Sequence, residues 1–270
     1  MAAQLMAEYS DLWPETIRAL IVHSAEWTDV MRQDFLSDPI NPKKEDIVNL
    51  VRCCGFGIPD LQRAMWSVRN SLTMICEEKL QPFRREGSND PTLGEMHFHR
   101  LPWPLKELES LGETSVKMRI TLSYFIEPNP SERGAPRSPY LYESHGLRYD
   151  VKRPAETEVE FRKRVNFLER DKDEKGKTRE SDSGWRIGKR SRHRGSIHSD
   201  IWQGSAADLA SRGMIGVYPT QGWWKTRPKH QCYDRMARYS LVVSILAPEV
   251  NVDIYSAVAN QIDTPVVVES

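Results

Sequence analysis

Trp13-Pro14-Glu15-Thr16-Ile17-Arg18-Ala19-Leu20-Ile21-Val22-His23-Ser24-Ala25 is the stretch on which the reading of this chain turns. Pro14 arrives with its φ already set for a first helical turn, and Glu15 places negative charge where the helix dipole favours it. Ile17, Leu20, Ile21 and Ser24 fall at i, i+3, i+4 and i+7, so the helix has a face that must be buried. Upstream, Ala2–Tyr9 is helical in composition and opens without a cap. Downstream, Thr28–Asn41 carries Asp38-Pro39 and Asn41-Pro42, which are turn and helix-start signals. Pro42 leads Lys43–Cys54, where Ile47, Leu50, Val51 and Cys54 form an apolar stripe. Gly55-Phe56-Gly57-Ile58-Pro59-Asp60 then introduces a short helix over Leu61–Trp66.

From Asn70 the hydrophobic period changes to two. Leu72, Met74 and Cys76 mark one short strand. Glu95–Arg100 marks another, with Met96 and Phe98 on one face and His97 and His99 on the other. Pro104–Leu111 returns to helix and stops at Gly112. Val116, Met118, Ile120, Leu122, Tyr124 and Ile126 then give the strongest alternation in the chain, a face that predicts burial against a second sheet. Leu147, Tyr149 and Val151 continue the strand pattern, and Glu156–Leu168 is helical along Phe161, Val165 and Leu168. On the wet side of that helix, Glu158–Arg162 and Glu160–Arg164 are i,i+4 pairs. Ser196–Gln203, Met214–Tyr218 and Tyr239–Ala247 close the series as strands. Ser131–Pro139 reads as a loop and Asp171–Asp182 as a charged excursion.

The sum is an α+β chain: helices over 1–68, then a β-sandwich over 69–270, with a jelly roll as one form of it. Helical insertions fall near 104–111 and 156–168.

Charge balances at 38 basic against 38 acidic residues, so no overall field draws nucleic acid or an anionic membrane. No apolar run approaches the ~20 residues needed to span a bilayer. Four cysteines, two of them adjacent at Cys53 and Cys54, make a poor disulfide framework and fit a reducing compartment. The expectation is a cytoplasmic protein without nucleic-acid or membrane partners.

The order of the opening segments resembles the last part of a subtilisin-like serine protease domain. In that family the nucleophile stands in a Gly-Thr-Ser motif at the start of a buried helix. A Pro-led helix of the Ile17–Ala25 type follows, and a Gly-x-Gly turn leads to a closing helix. Met1–Tyr9 matches the back half of the serine helix, and the Gly-Thr-Ser is expected upstream of Met1. The resemblance covers roughly 1–68. Arg119–Pro128 and Ser144–Pro154 are similar to the C-terminal β domain of one bacterial subgroup of these proteases. It implies that the complete enzyme hydrolyses peptide bonds through an Asp/His/Ser triad without a cofactor, on peptide or protein substrates. An ATPase partner is implied by the subgroup's habit of being encoded beside one. The Asp-Thr/Ser-Gly and His-Gly-Thr segments of the family do not occur here, so this chain is expected to be inactive alone. No catalytic, cofactor-binding or metal-binding residue is assigned.

Several features invite chemistry and have plainer readings beside them. His23 and Ser24 are neighbours on a helix and point about 100° apart, which suits packing better than catalysis. Ser205, before Ala206–Ser211, reads as an N-cap rather than a nucleophile. His97-x-His99 has zinc-ligand spacing, with His145, His198 and Asp200 as further donors if the fold gathers them; packed histidines are the alternative. Cys54 continues an apolar stripe, so Cys53-Cys54 is read as burial rather than reactivity. The basic run Gly188–Ser196 reads as a solvated loop rather than a phosphate contact. Trp185, Trp202, Trp223 and Trp224 serve either a ligand-stacking surface or a core, and the Trp223-Trp224 pair, if extended, sends one ring outward.

Two functional readings follow. In one, the chain is the C-terminal portion of a subtilisin-like endopeptidase, and Ile17, Leu20 and Ile21 evolved to face strands it lacks. Each such side chain left wet forfeits about 1.5–3 kcal/mol. In the other, the chain is a non-catalytic β-sandwich binding or interaction module whose helices are its own packing layer.

Overall fold

The computed structural model describes residues 1–69, 73–130, 143–170, 182–246 and 268–269. The chain opens in helices: α1 (Ala2–Glu8), α2 (Pro14–His23), α3 (Asp29–Phe35), α4 (Lys44–Cys54) and α5 (Leu61–Arg69). Next come β1 (Thr73–Leu80), the short pair β2 (Phe83–Arg84) and β3 (Thr92–Leu93), β4 (His97–Arg100), α6 (Leu105–Ser110), β5 (Ser115–Tyr124) and β6 (Gly146–Val151). The remainder is α7 (Glu158–Arg170), α8 (Lys189–Arg192), β7 (Ile197–Ser205), α9 (Ala206–Ser211), β8 (Met214–Thr220), α10 (Trp223–Thr226), β9 (Ala237–Leu246) and β10 (Val268–Glu269). The class is α+β.

Two antiparallel sheets face each other, in the orders β1-β9-β5-β7 and β10-β4-β8-β6, with β2-β3 as a separate hairpin. From β4 to β9 each successive strand of the two large sheets crosses to the other sheet, and β9 returns beside β1. That is the connectivity of a jelly-roll sandwich. The alternation along β5 explains its central place. Val116, Met118, Ile120, Leu122 and Tyr124 join Leu241, Val243 and Ile245 of β9 in a core shared with Leu147, Tyr149 and Val151 of β6 and Ile215 and Val217 of β8.

The other face of the β5 sheet is buried too, under α2. Ile17 and Leu20 are 4% and 0% exposed and pack with Leu5, Ala64 and Val242. The apolar face of α2 is therefore covered by strands of this chain. This outer sheet face is partly polar, and several of its buried groups pair with α2 or with one another. The His23 ring bridges Thr121 Oγ1 (2.9 Å) and Ser244 Oγ (2.8 Å), and Thr121 meets Ser199 at 2.9 Å. Arg119 donates to the Val22 and Ala25 carbonyls (3.1 and 2.8 Å), a cation at the helix C-terminus where the dipole favours it. At the other end Glu77 accepts from Trp13 N–H (2.7 Å) and the Thr16 hydroxyl, and Arg238 pairs with Glu15 at 2.8 Å.

Among the described residues the outer edge of β6 meets side chains rather than another strand. Arg192 and His193 reach the Tyr149 carbonyl (3.4 and 3.1 Å), and Arg164 donates to the Val151 carbonyl at 3.0 Å. Side chains set over a strand edge in this way blunt it as a template for pairing.

Some sequence expectations need correction. Thr28 caps α3 through Met31 N–H, so the segment read as turns holds a helix. The run 188–196 is not a solvated loop throughout: Arg192 is 3% exposed, between the Tyr149 and Trp185 rings at 4.5 Å from each, and 3.7 Å from both Asp150 and Asp200. Trp223 and Trp224 are both 4% exposed, because the backbone is helical there and sets the two rings edge to face, 6.4 Å apart, in one buried cluster. On α7, Glu158 takes a two-pronged pair from Arg100 (2.7 and 2.8 Å), and Arg164 reaches Asp150 and Glu156. The long β5 alternation ends as a strand at Tyr124, with Ile126 packed on the core. Ser131–Pro139 and 171–181 lie outside the described residues.

Candidate functional site: a polar cleft beside a buried relay

A cleft of about 530 Å³ is lined by Gln81, Arg84, Gly94, Glu95, Met96, Phe98, Arg162 and Asn166. Its size falls within the range of small-molecule sites. Three segments build it: the β1–β2 turn, the approach to β4, and the middle of α7. Gly94 makes the first two meet. Its N–H donates to the Pro82 carbonyl (2.9 Å), and a Cβ there would lie 2.3 Å from the Gln81 carbonyl oxygen. Gln81 N–H and Glu95 Oε2 (2.8 Å), and Glu95 N–H and the Gln81 carbonyl (2.9 Å), lock that junction. Opposite it the Arg162 guanidinium lies 4.6 Å over the Phe98 ring, which α7 holds through Phe161. Arg84 projects from β2 with Glu86 at 3.7 Å.

The lining therefore holds two guanidinium groups, two amides and one carboxylate. It holds no Ser, Cys, His, Lys or Tyr, and Glu95 is its one carboxylate, so the lining offers no paired acid and base. Its chemistry is recognition: planar guanidinium groups suit a carboxylate or phosphate, and the amides suit hydroxyl or carbonyl groups beside it.

On the inner face of β4, behind the cleft wall, His97 and His99 converge on one atom. The Tyr239 hydroxyl lies 2.8 Å from His97 Nδ1 and 2.7 Å from His99 Nε2, and His99 Nδ1 lies 3.5 Å from Cys76 Sγ. One hydroxyl proton serves only one of two acceptors, so one imidazole must donate to the tyrosine while the other accepts. Burial, with His97 adding to it, holds His99 down to about 3, and burial lowers His97 as well. Burial pushes the Cys76 thiol up to about 12 and raises the Tyr239 phenol. All four groups are thus neutral at pH 7, and the chain Cys76–His99–Tyr239–His97 is a set of neutral hydrogen bonds with no thiolate in it.

The other residues singled out by sequence separate. His145 and His198 flank Tyr124, with ring centroids 5.6 and 5.7 Å from it, and do not join His97 and His99. Asp200 accepts from the N–H groups of Ile187, Gly188 and Ile201 at 2.8–2.9 Å. Among the described residues no group of three or more His, Cys, Asp or Glu is placed to hold a metal ion. Ser24 donates to the Ile21 carbonyl, and Ser205 caps α9 through Asp208 N–H, as expected of packing and capping residues. Cys53 is exposed and Cys54 partly so, Cys54 lying against the Trp27–Leu50 cluster. Trp185, Trp202, Trp223 and Trp224 are all buried, so they serve the core and offer no stacking surface.

Sequence reasoning did not find the cleft. Arg84 and Glu95 lie 11 residues apart, but Arg162 comes 67 residues after Glu95, and the one local signal is Gly94 just before a strand. Among the described residues no helix is long and apolar enough to cross a membrane. No family model, no curated protein and no solved structure matches this chain.

Proposed function

We propose that the chain is a non-catalytic β-sandwich binding module whose ligand is a small polar molecule carrying an anionic group. The observation that supports this most is the cleft itself: two guanidinium groups beside amides, with Glu95 as its one carboxylate, tied to the Gln81 N–H, and no second acid or base to pair with it. The burial of α2 against β5 and β9 supports the same reading, since the helical layer already has its sheet. The ligand's carboxylate or phosphate sits between Arg84 and Arg162, and its hydroxyl or carbonyl groups face Gln81 and Asn166. Calorimetric titration with hexuronates, hexose phosphates and neutral hexoses tests it. Binding is expected for an anionic set, weakened at least tenfold in Arg162→Gln, and absent for neutral sugars. Equal heats from neutral and anionic sugars, or no effect of Arg84→Gln and Arg162→Gln, would overturn it.

The reading as the C-terminal portion of a subtilisin-like endopeptidase is a second proposal, resting on the resemblance of 1–68 and of the β segments. It expects no casein hydrolysis by the purified chain and restoration of hydrolysis on adding a catalytic half. Phosphonate-sensitive hydrolysis by the chain alone would contradict both proposals.

A further inference from the structure

A second, smaller crevice opens on the far side of the β5 sheet, where the C-terminus of α2 meets β7. It is lined by Ala25, Glu26, Trp27, Phe56, Arg119, Arg186, Ile187 and the strand residues 199–201, and it encloses about 20 Å³. That is room for one water-sized occupant. Arg119 is 7% exposed. One of its terminal nitrogens is used by the Val22 and Ala25 carbonyls, but its Nε is buried without a hydrogen-bond partner. Arg186 presents its guanidinium to the same crevice, 5.6 Å over the Trp27 ring. Among the described residues that guanidinium makes no hydrogen bond or ion pair.

The acids nearby are committed elsewhere. Glu26 is paired with Arg63 at 2.5 Å. Asp200 spends its oxygens on three backbone N–H groups and faces Arg192. Burial, reinforced by Arg186 and opposed by Glu26, pulls Arg119 down to about 10, and burial, reinforced by Arg32 and opposed by Asp200 and Glu26, lowers Arg186. Glu26 and Asp200 line the same crevice and attract both cations from a distance, but neither makes an ion pair with Arg119 or Arg186, so the buried Arg119 Nε and the Arg186 guanidinium keep donors that a counter-anion satisfies.

We propose that this crevice binds one small monovalent anion, a halide or a carboxylate head, held between Arg119 Nε and the Arg186 guanidinium above the Trp27 ring. The site lies on the opposite face of the β5 sheet from the sandwich core and is independent of the cleft beside β4.

Chloride and acetate are the probes. Excess ³⁵Cl NMR linewidth in chloride solutions of the protein is expected to be saturable, to be displaced by bromide, and to fall to the solvent value in Arg186→Gln. Arg186 donates no side-chain hydrogen bond, so this variant is expected to fold. The thermal midpoint of the wild type should rise with chloride at ionic strength held constant with a bulky sulfonate salt, and that of Arg186→Gln should not. If acetate raises the midpoint and chloride does not, the site takes the carboxylate form of the same chemistry. Equal response of wild type and Arg186→Gln to both anions, or a midpoint that follows ionic strength alone, overturns the proposal. Arg119→Met serves as a second variant where it folds, with the same loss of linewidth expected.

Discussion

Tyr239 carries a single hydroxyl between two imidazoles, and its removal has a defined cost. Tyr239→Phe leaves His97 Nδ1 and His99 Nε2 buried without their shared partner. An unsatisfied buried polar group costs about 1–3 kcal/mol, so the urea midpoint should drop by a corresponding amount with the slope unchanged. A variant as stable as the wild type would show that these rings are not buried as described. The same histidines set the acid limit of the fold. Burial, with His97 adding to it, holds His99 to about 3, burial holds His145 to about 4, and burial, with nearby arginines adding to it, holds His198 to about 4. These values are depressed, so the unfolded chain takes up the protons first as pH falls. The stability they contribute is complete above about pH 6.5 and is lost as pH falls from there toward 4 and 3, by about 1.4 kcal/mol per histidine one unit below 6.5. Urea denaturation at pH 7.5, 6.0 and 5.0 should show a falling midpoint, whereas a flat profile contradicts the neutral, buried state of the rings.

At the scale of elements, the α8–β7 junction is the most exacting. Arg192 stands between two carboxylates and two aromatic rings. Asp150 keeps Arg164 and Lys189 when Arg192 is removed, at 2.7 and 2.9 Å, but Asp200 keeps only backbone N–H donors. Arg192→Met is expected to destabilise by about 3–5 kcal/mol, the usual effect of stranding a buried charge. Equilibrium denaturation checks it, and a loss below 1 kcal/mol would mean that Asp200 is neutral when the cation is gone.

This junction also shows what the sequence made legible and what it did not. Elements with their own period were readable: α2 from its i, i+3, i+4 face, β5 and β9 from strict alternation, α9 from Ser205. Segments that owe their state to a distant partner were not. Arg192 is buried because Tyr149 and Trp185 come from two other segments to enclose it, and a basic run carries no sign of that. Trp223 and Trp224 turn inward because α10 replaces an extended backbone by one helical turn. The cleft was hidden for the same reason, since its two arginines are about 80 residues apart and only the packing of α7 on β8 brings them together. His97-x-His99 was legible as a shared face, but its partner, Tyr239, lies 140 residues further along.

At the scale of the whole molecule, the opening helices α1, α2 and α5 form a layer packed on the β5 sheet. Leu20 is fully buried between α1, α5 and the β5 sheet. Leu20→Ala should cost about 2–5 kcal/mol, as other leucine truncations in packed cores do, and should lower the stability of β5 and β9 equally, since one cooperative unit unfolds as one. Native-state hydrogen exchange reads this most directly. In the lone monomer, the amides of Ile17–His23 are predicted to exchange with the same free energy of opening as those of Met118–Leu122. Rapid exchange over Ile17–His23 while Met118–Leu122 stays protected would mean that the helices belong to another surface, and would contradict the account.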